Sequence, residues 1–321
     1  MIAAMVLASL DRPVTIVVAL AVGLLAVRFL RLALAHVLEN PVLIRPNYRG
    51  HRIPTAAGIL IPLAILLVDT GRTLFGALGV GNQNTDRATS LMLVCVLGFG
   101  LLGLLDDVLG DAVGGGGDRG FGGHLRALAH GRITTGMLKL VGGGAVAIVL
   151  VATPGFPDDR SIIVDALLVA LAANLANLFD RAPGRMIKVS CVAYIPLAFV
   201  LGASGPGVAL APVIGAAVGL LSDDLREHLM LGDTGANAVG GALGLGVVLG
   251  CPASTRLTVM IVLAVLNIAA EVVSFSRIID AVAPLRAFDR WGQRPERRTP
   301  RHRGRRTVGG RDDQGRQAGR A

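Results

Sequence analysis

Nine stretches of this chain are apolar over lengths approaching the thickness of a lipid bilayer: about 14–36, 54–69, 90–105, 137–153, 161–179, 187–203, 206–221, 235–250 and 256–276. A helix rises about 1.5 Å per residue, so crossing a hydrocarbon core of roughly 30 Å takes about 20 residues. The shorter runs are expected to extend into their flanks or to tilt. Backbone groups in lipid have no water to bond, which favours helices whose hydrogen bonds close internally. The expected fold is all-α: a polytopic integral membrane protein of about nine transmembrane helices. Composition agrees, with 53% apolar residues, only 4% aromatics and a mean hydropathy of +0.64, a balance foreign to soluble domains. The first run has only Arg12 before it and no small-x-small cleavage site, so it reads as a retained helix and not a signal peptide. Cys95, Cys191 and Cys251 are far apart in or beside apolar runs, which suits buried thiols and neither a disulfide framework nor a metal site.

The net charge of +9 suggests nucleic acid until it is mapped. From Arg277 onward, 13 Arg stand against 5 acids, whereas residues 1–276 hold 18 basic and 17 acidic side chains. The charge belongs to the tail, and no nucleic-acid-binding face is expected. The chain divides into a membrane body, 1–276, and a basic, largely disordered cytoplasmic tail, 277–321. That tail is expected to stay near anionic lipid headgroups, with an acidic partner as the alternative. Loops 37–53, 106–136, 180–186 and 222–234 carry Arg45, Arg49, Arg52, Arg119, Arg126, Arg132, Arg181, Arg185 and Arg226, and the alternate loops, holding Arg72, Arg87, Arg160 and Arg256, are poorer. The positive-inside rule puts the richer loops and the tail in the cytoplasm and the N-terminus outside. Nine spans have the matching parity.

Three acidic clusters fall on that expected inner face. GFGLLGLLDDVLGD ends the third run with Asp106 and Asp107; NLANLFDRAPGRMIK ends the fifth with Asn174, Asn177 and Asp180, then reaches Arg185 and Lys188; LMLGDTGANAVGG opens the eighth with Asp233 and Thr234. Unpaired carboxylates are costly in lipid. Any one cluster has the plain reading of a water-exposed helix end. Three on one face point further, because acidic oxygens from separate helices suit a hard cation such as Mg²⁺, completed by phosphate oxygens of a substrate. Basic neighbours pair with the remaining phosphate charge. The residues alone thus suggest metal-assisted phosphoryl chemistry at a membrane surface. Gly240 and Gly244 have the spacing of close helix packing, and Gly114–Gly117 reads as a flexible linker. Lys139 and Lys188 are the only lysines.

Four of these motifs, in order over residues 40–276, resemble the polyprenyl-phosphate N-acetylhexosamine-1-phosphate transferase superfamily. RGHRIPTAAG (Arg49–Gly58) is similar to its first cytoplasmic motif, GLLDDVLGD to its Asp-Asp motif, NLANLFD to its Asn-x-x-Asn-x-x-Asp motif, and LGDTGAN to its Gly-Asp-Thr-Gly-Ser motif. The resemblance implies transfer of a sugar 1-phosphate from a UDP-sugar to a polyprenyl phosphate, with Mg²⁺ and release of UMP. It implies a multi-pass protein of the bacterial inner membrane serving cell-envelope polymer synthesis. It gives Asp106, Asp107 and Asp180 catalytic roles and makes Asp233, Asp180 and Asp107 metal ligands. Substrate binding would fall to Asn177, Asn174, Lys188, Arg185, Arg49 and Thr234. The chain departs from the pattern at Pro183, where a further Asp is expected, and in RAFDRWGQRPERR, where histidines are expected. Those departures favour a second reading, a non-catalytic relative that binds lipid phosphate or a partner and regulates envelope synthesis. A transporter would instead place ionisable residues near the bilayer midplane, and here only Asn267 and Glu271 are suggestive.

Overall fold

The computed structural model of the chain describes residues 2–79, 86–113, 135–153 and 161–294. The Gly114–Gly117 run, Arg119, Arg126, Arg132, Arg160 and the tail from 295 lie outside the described residues. Each of the nine apolar runs corresponds to one long helix: α1 (Ile2–Ala33), α3 (Leu60–Ala77), α4 (Arg87–Val113), α5 (Thr135–Ala152), α6 (Ile162–Phe179), α7 (Arg185–Leu201), α8 (Gly205–Leu225), α9 (Gly232–Gly250) and α10 (Ala253–Val272). Short helices α2 (Ala35–Leu38), α11 (Phe275–Ala281) and α12 (Ala283–Arg290) flank them, and Ile44–Pro46 (β1) pairs antiparallel with Arg52–Pro54 (β2). Among the described residues, seven helices are long and apolar enough to cross a membrane; α7 and α9 are the long helices that fall short. The chain is a multi-pass, all-α membrane protein.

The two exceptions have physical causes. Helix α7 is 17 residues long and begins with Arg185 and Lys188. Helix α9 is diluted by Asp233, Asn237 and glycines, yet most of it is buried. A helix shielded from lipid by its neighbours has no need of an apolar surface of its own. Glycine lets those neighbours come close. A Cβ on Gly240 would lie 2.5 Å from the Ala172 carbonyl of α6, and one on Gly241 would lie 2.7 Å from the Phe99 ring of α4. Gly240 and Gly244 therefore serve packing, as their spacing suggests. On the other flank α1 lies on α8, where Arg28 pairs with Asp223 at 2.6 Å.

The first motif has a constructive role here. Its hairpin folds back so that Ala57 N donates to Met230 O (3.1 Å), Gly58 N to Leu231 O (3.0 Å) and Met230 N to Pro54 O (2.8 Å). The segment leading into α9 is thereby fixed against the end of the hairpin. At the opposite end of the bundle, Asp165 of α6 and Arg256 of α10 form a buried ion pair at 3.2 Å. Arg256, counted above as a loop charge, is instead a buried side chain in the first turn of α10. Residues 277–290, assigned by composition to the tail, are largely helical as α11 and α12.

Candidate functional site

The acidic clusters converge, and α9 is their meeting point. Asp107, near the end of α4, accepts from Asp233 N (3.0 Å), Thr234 N (3.0 Å) and Thr234 Oγ1 (2.6 Å). The first amides of a helix lack partners within it, and a carboxylate there is also favoured by the helix dipole. Asp107 is in effect the cap of α9, supplied by another helix. This contact requires the two backbones to touch: a Cβ on Gly103 would stand 2.3 Å from the carbonyl oxygen of Asp233.

With both Asp107 oxygens turned to α9, Asp106 faces the open side. Lys139 from the first turns of α5 joins Asp106 to Asp233. Lys139 Nζ is hydrogen-bonded to Asp233 Oδ2 and stands 3.9 Å from Asp106 Oδ2. Asn177 completes the group from α6. With its amide oriented to suit both neighbours, its nitrogen donates to Asp233 Oδ1 at 2.6 Å and its oxygen accepts from Lys139 Nζ at 2.6 Å. Asn174, one turn earlier, reaches the same cleft but donates to Asn267 Oδ1 of α10 at 2.7 Å. These side chains, with Asn237 and Glu271, line a cleft of about 500 Å³ between α4, α5, α6 and α9.

Asp180 closes α6 as its last capping residue. It lines a second cleft of about 370 Å³, together with Asp233, Asp224, Glu227, Asn47 and Tyr48. Asp233 is thus shared between both clefts. Poor access to solvent pushes the Asp180 carboxyl well above the usual carboxylate range, and repulsion from Asp224, Asp233 and Asp107 adds to it; a hydrogen bond from the Gly232 backbone opposes the rise. Arg49 sits at the rim, paired with Glu227 at 2.9 Å. Beside the clefts runs an apolar groove of about 340 Å³ between α6, α7, α9 and α10, from Phe179 and Met186 to Val247 and Val259.

Arg185 and Lys188 are not part of this group. Arg185 holds the Asp289 carboxylate with both Nε (2.7 Å) and Nη2 (2.9 Å), and Lys188 Nζ bonds the carbonyls of Phe288, Asp289 and Trp291. Two residues at the site carried no role in the sequence reading. Lys139 had one signal, being one of only two lysines in an Arg-rich chain. Asp224 had none, since its acceptance from Gly184 N (2.8 Å) spans 40 positions.

The donor set is chemically suited to Mg²⁺. It consists of carboxylate and amide oxygens, and the Asp106–Asp233 pair already accommodates the positive charge of Lys139. Among the described residues no three His, Cys, Asp or Glu side chains form a metal cage by themselves. Mg²⁺ seldom needs one, because it retains water and takes phosphate oxygens.

Fold and site together define a multi-pass membrane protein whose charged centre lies where several helices end on one face. No family model matches the chain. It is 29% identical to the phospho-N-acetylmuramoyl-pentapeptide-transferase of Deinococcus radiodurans over 200 residues, 58% of each chain. It is 29% identical to that of Desulforamulus reducens over 69% of this chain and 68% of the other, and 27% identical to that of a Geobacillus species over 78% and 74%. These similarities support a divergent relative of the polyprenyl-phosphate N-acetylhexosamine-1-phosphate transferase superfamily, and the apolar helices make the chain a multi-pass protein of the cell membrane. The match to the first of these relatives spans little more than half of its length.

Proposed function

We propose that the chain transfers a sugar 1-phosphate from a UDP-sugar to a polyprenyl phosphate at the cytoplasmic membrane face, with Mg²⁺, for envelope polymer synthesis. The observation that carries this reading is the gathering of Asp106, Asp180, Asp233, Asn177 and Lys139 from four helices between two polar clefts and an apolar groove. Transfer between two phosphates needs concentrated positive charge and fixed oxygen donors, since opposing anions must be brought in line. The groove offers an isoprenoid chain a place of matching polarity beside the charged centre.

Asp233 leads the set that would hold Mg²⁺, with Asp180 and the phosphate oxygens completing it. When bound, the ion supplies charge neutralisation along the diphosphate. Lys139 neutralises phosphate charge from the opposite side of Asp233. Asn177 orients both of them through its two amide atoms. Asp106, the carboxylate facing the open cleft, takes the proton of the lipid phosphate. Asp107 acts through α9, holding Asp233 and Thr234 in register. Arg49 shapes the rim of the second cleft by fixing Glu227. The Arg-rich tail keeps the face close to anionic headgroups.

The test is UMP release from a panel of UDP-sugars with Mg²⁺ and undecaprenyl phosphate. Asp233→Asn should abolish it, and unchanged turnover in that variant would refute the metal role. A second reading, a non-catalytic relative that binds lipid phosphate, draws on the engagement of Arg185 and Lys188 by Asp289. Lipid-phosphate binding without UMP release from any donor would establish it instead.

A further inference from the structure

The loop carrying Asp180 is held from an unexpected direction. The chain past α10 returns to the site, and Phe275 at the start of α11 stacks on Phe179, the residue before Asp180, with ring centroids 5.0 Å apart and planes 9° from parallel. On the other side of Asp180, Gln293 Nε2 donates to Pro183 O at 3.1 Å. Pro183 stands where the resemblance expects an acid; its carbonyl is instead a point of attachment. Between these contacts lies a buried lock. Arg185 grips Asp289 through two nitrogens and also donates to Ser276 Oγ at 2.8 Å. Lys188 Nζ donates to the carbonyls that end α12, where a cation complements the negative end of the helix dipole. Arg185, Lys188 and Asp289 are 6%, 4% and 7% exposed.

Burying two cations and a carboxylate is costly unless every member is bonded. Here the lock is satisfied, and what it fixes is the stretch 179–188. Asp224 secures the same loop from α8 through Gly184 N. A five-residue connection between two helices is thus tied at Phe179, Pro183, Gly184, Arg185 and Lys188, around one carboxylate of the site.

We propose that residues 275–293 are a positioning clamp for Asp180, with Asp289 as its central positioning residue. The inference rests on the reading of Asp180 as part of a cation and phosphate site. It assigns Arg185 and Lys188 to the clamp and away from substrate. Second-layer groups that orient a ligand typically change metal affinity or activity by about 10–100-fold when removed.

The experiment uses the full chain in detergent, with Asp289→Ala and Gln293→Ala. Amide hydrogen exchange over residues 180–188 and Mn²⁺ binding by electron paramagnetic resonance are followed beside thermal unfolding. Asp289→Ala should speed exchange in this loop and weaken Mn²⁺ binding about tenfold, with Gln293→Ala giving a smaller change of the same sign. A folded Asp289→Ala protein with wild-type exchange and Mn²⁺ affinity overturns the clamp. If Asp289→Ala does not fold, Gln293→Ala decides, and unchanged exchange at 181–184 overturns it. Wild-type protein that binds no Mn²⁺ counts against the metal reading of the site, and exchange still decides the clamp.

Discussion

Gly103→Ala removes no polar group, yet it should disable the site. The added Cβ would stand 2.3 Å from the Asp233 carbonyl oxygen, 2.4 Å from its carbon and 2.5 Å from Thr234 N. All three are backbone atoms, so no side chain can turn aside; α4 and α9 must separate. Overpacking of this kind costs about 1–3 kcal/mol, and exchanging Gly for Ala within a helix returns roughly 0.5–1 kcal/mol. The balance is a loss of about 1 kcal/mol, and at most about 2.5 kcal/mol. The functional effect should be larger, because the shift falls on Asp233 and its cap, and a displacement of about 1 Å at a reacting centre costs on the order of 100-fold. Thermal unfolding in detergent and UMP release read the two effects separately. Gly71→Ala in α3 is the control, since a Cβ there meets nothing within 4 Å. A Gly103→Ala protein as stable and as active as the parent would show that the α4–α9 contact does not set the position of Asp233.

Lys139→Gln should lower turnover on the order of 100-fold by removing a preorganised positive charge, while Mn²⁺ binding persists because a competitor for the carboxylates is gone. Full turnover in that variant would remove Lys139 from the site. Arg256→Leu, which strands a buried carboxylate, should cost about 3–5 kcal/mol, whereas Asp165→Leu with Arg256→Met should be close to neutral; equal losses in a detergent unfolding series would contradict this. Because the Asp180 carboxyl is raised by its surroundings, the acid limb of the pH–rate profile should lie above the ordinary carboxylate range. Asp224→Asn removes one repelling charge, so Asp180 should lose its proton at lower pH and the limb should move down. A limb that stays in place or rises assigns it to another group.

The helices were legible in the sequence because lipid imposes a simple rule on composition. Nine apolar runs map onto nine long helices, and these include α7 and α9, which fall short of the length or hydropathy needed to cross a membrane. The residue types of the site were legible too, since Asp106, Asp180, Asn177 and Asp233 are conspicuous beside apolar segments. Their division of labour was not. Asp106 and Asp107 are adjacent in the chain, and only the crossing of α4 over the start of α9 turns one to the cleft and the other to a helix terminus. Arg185 and Lys188 have the spacing and neighbours of phosphate ligands, yet Asp289, about a hundred residues onward, holds both. Lys139 lies 33 positions from Asp106, and nothing local brings it there. Sequence determined which segments form long apolar helices and which residue types stand at their ends, because both follow from the cost of placing polar groups in lipid. Tertiary structure alone decided which oxygen faces which cation, because that depends on where helices cross.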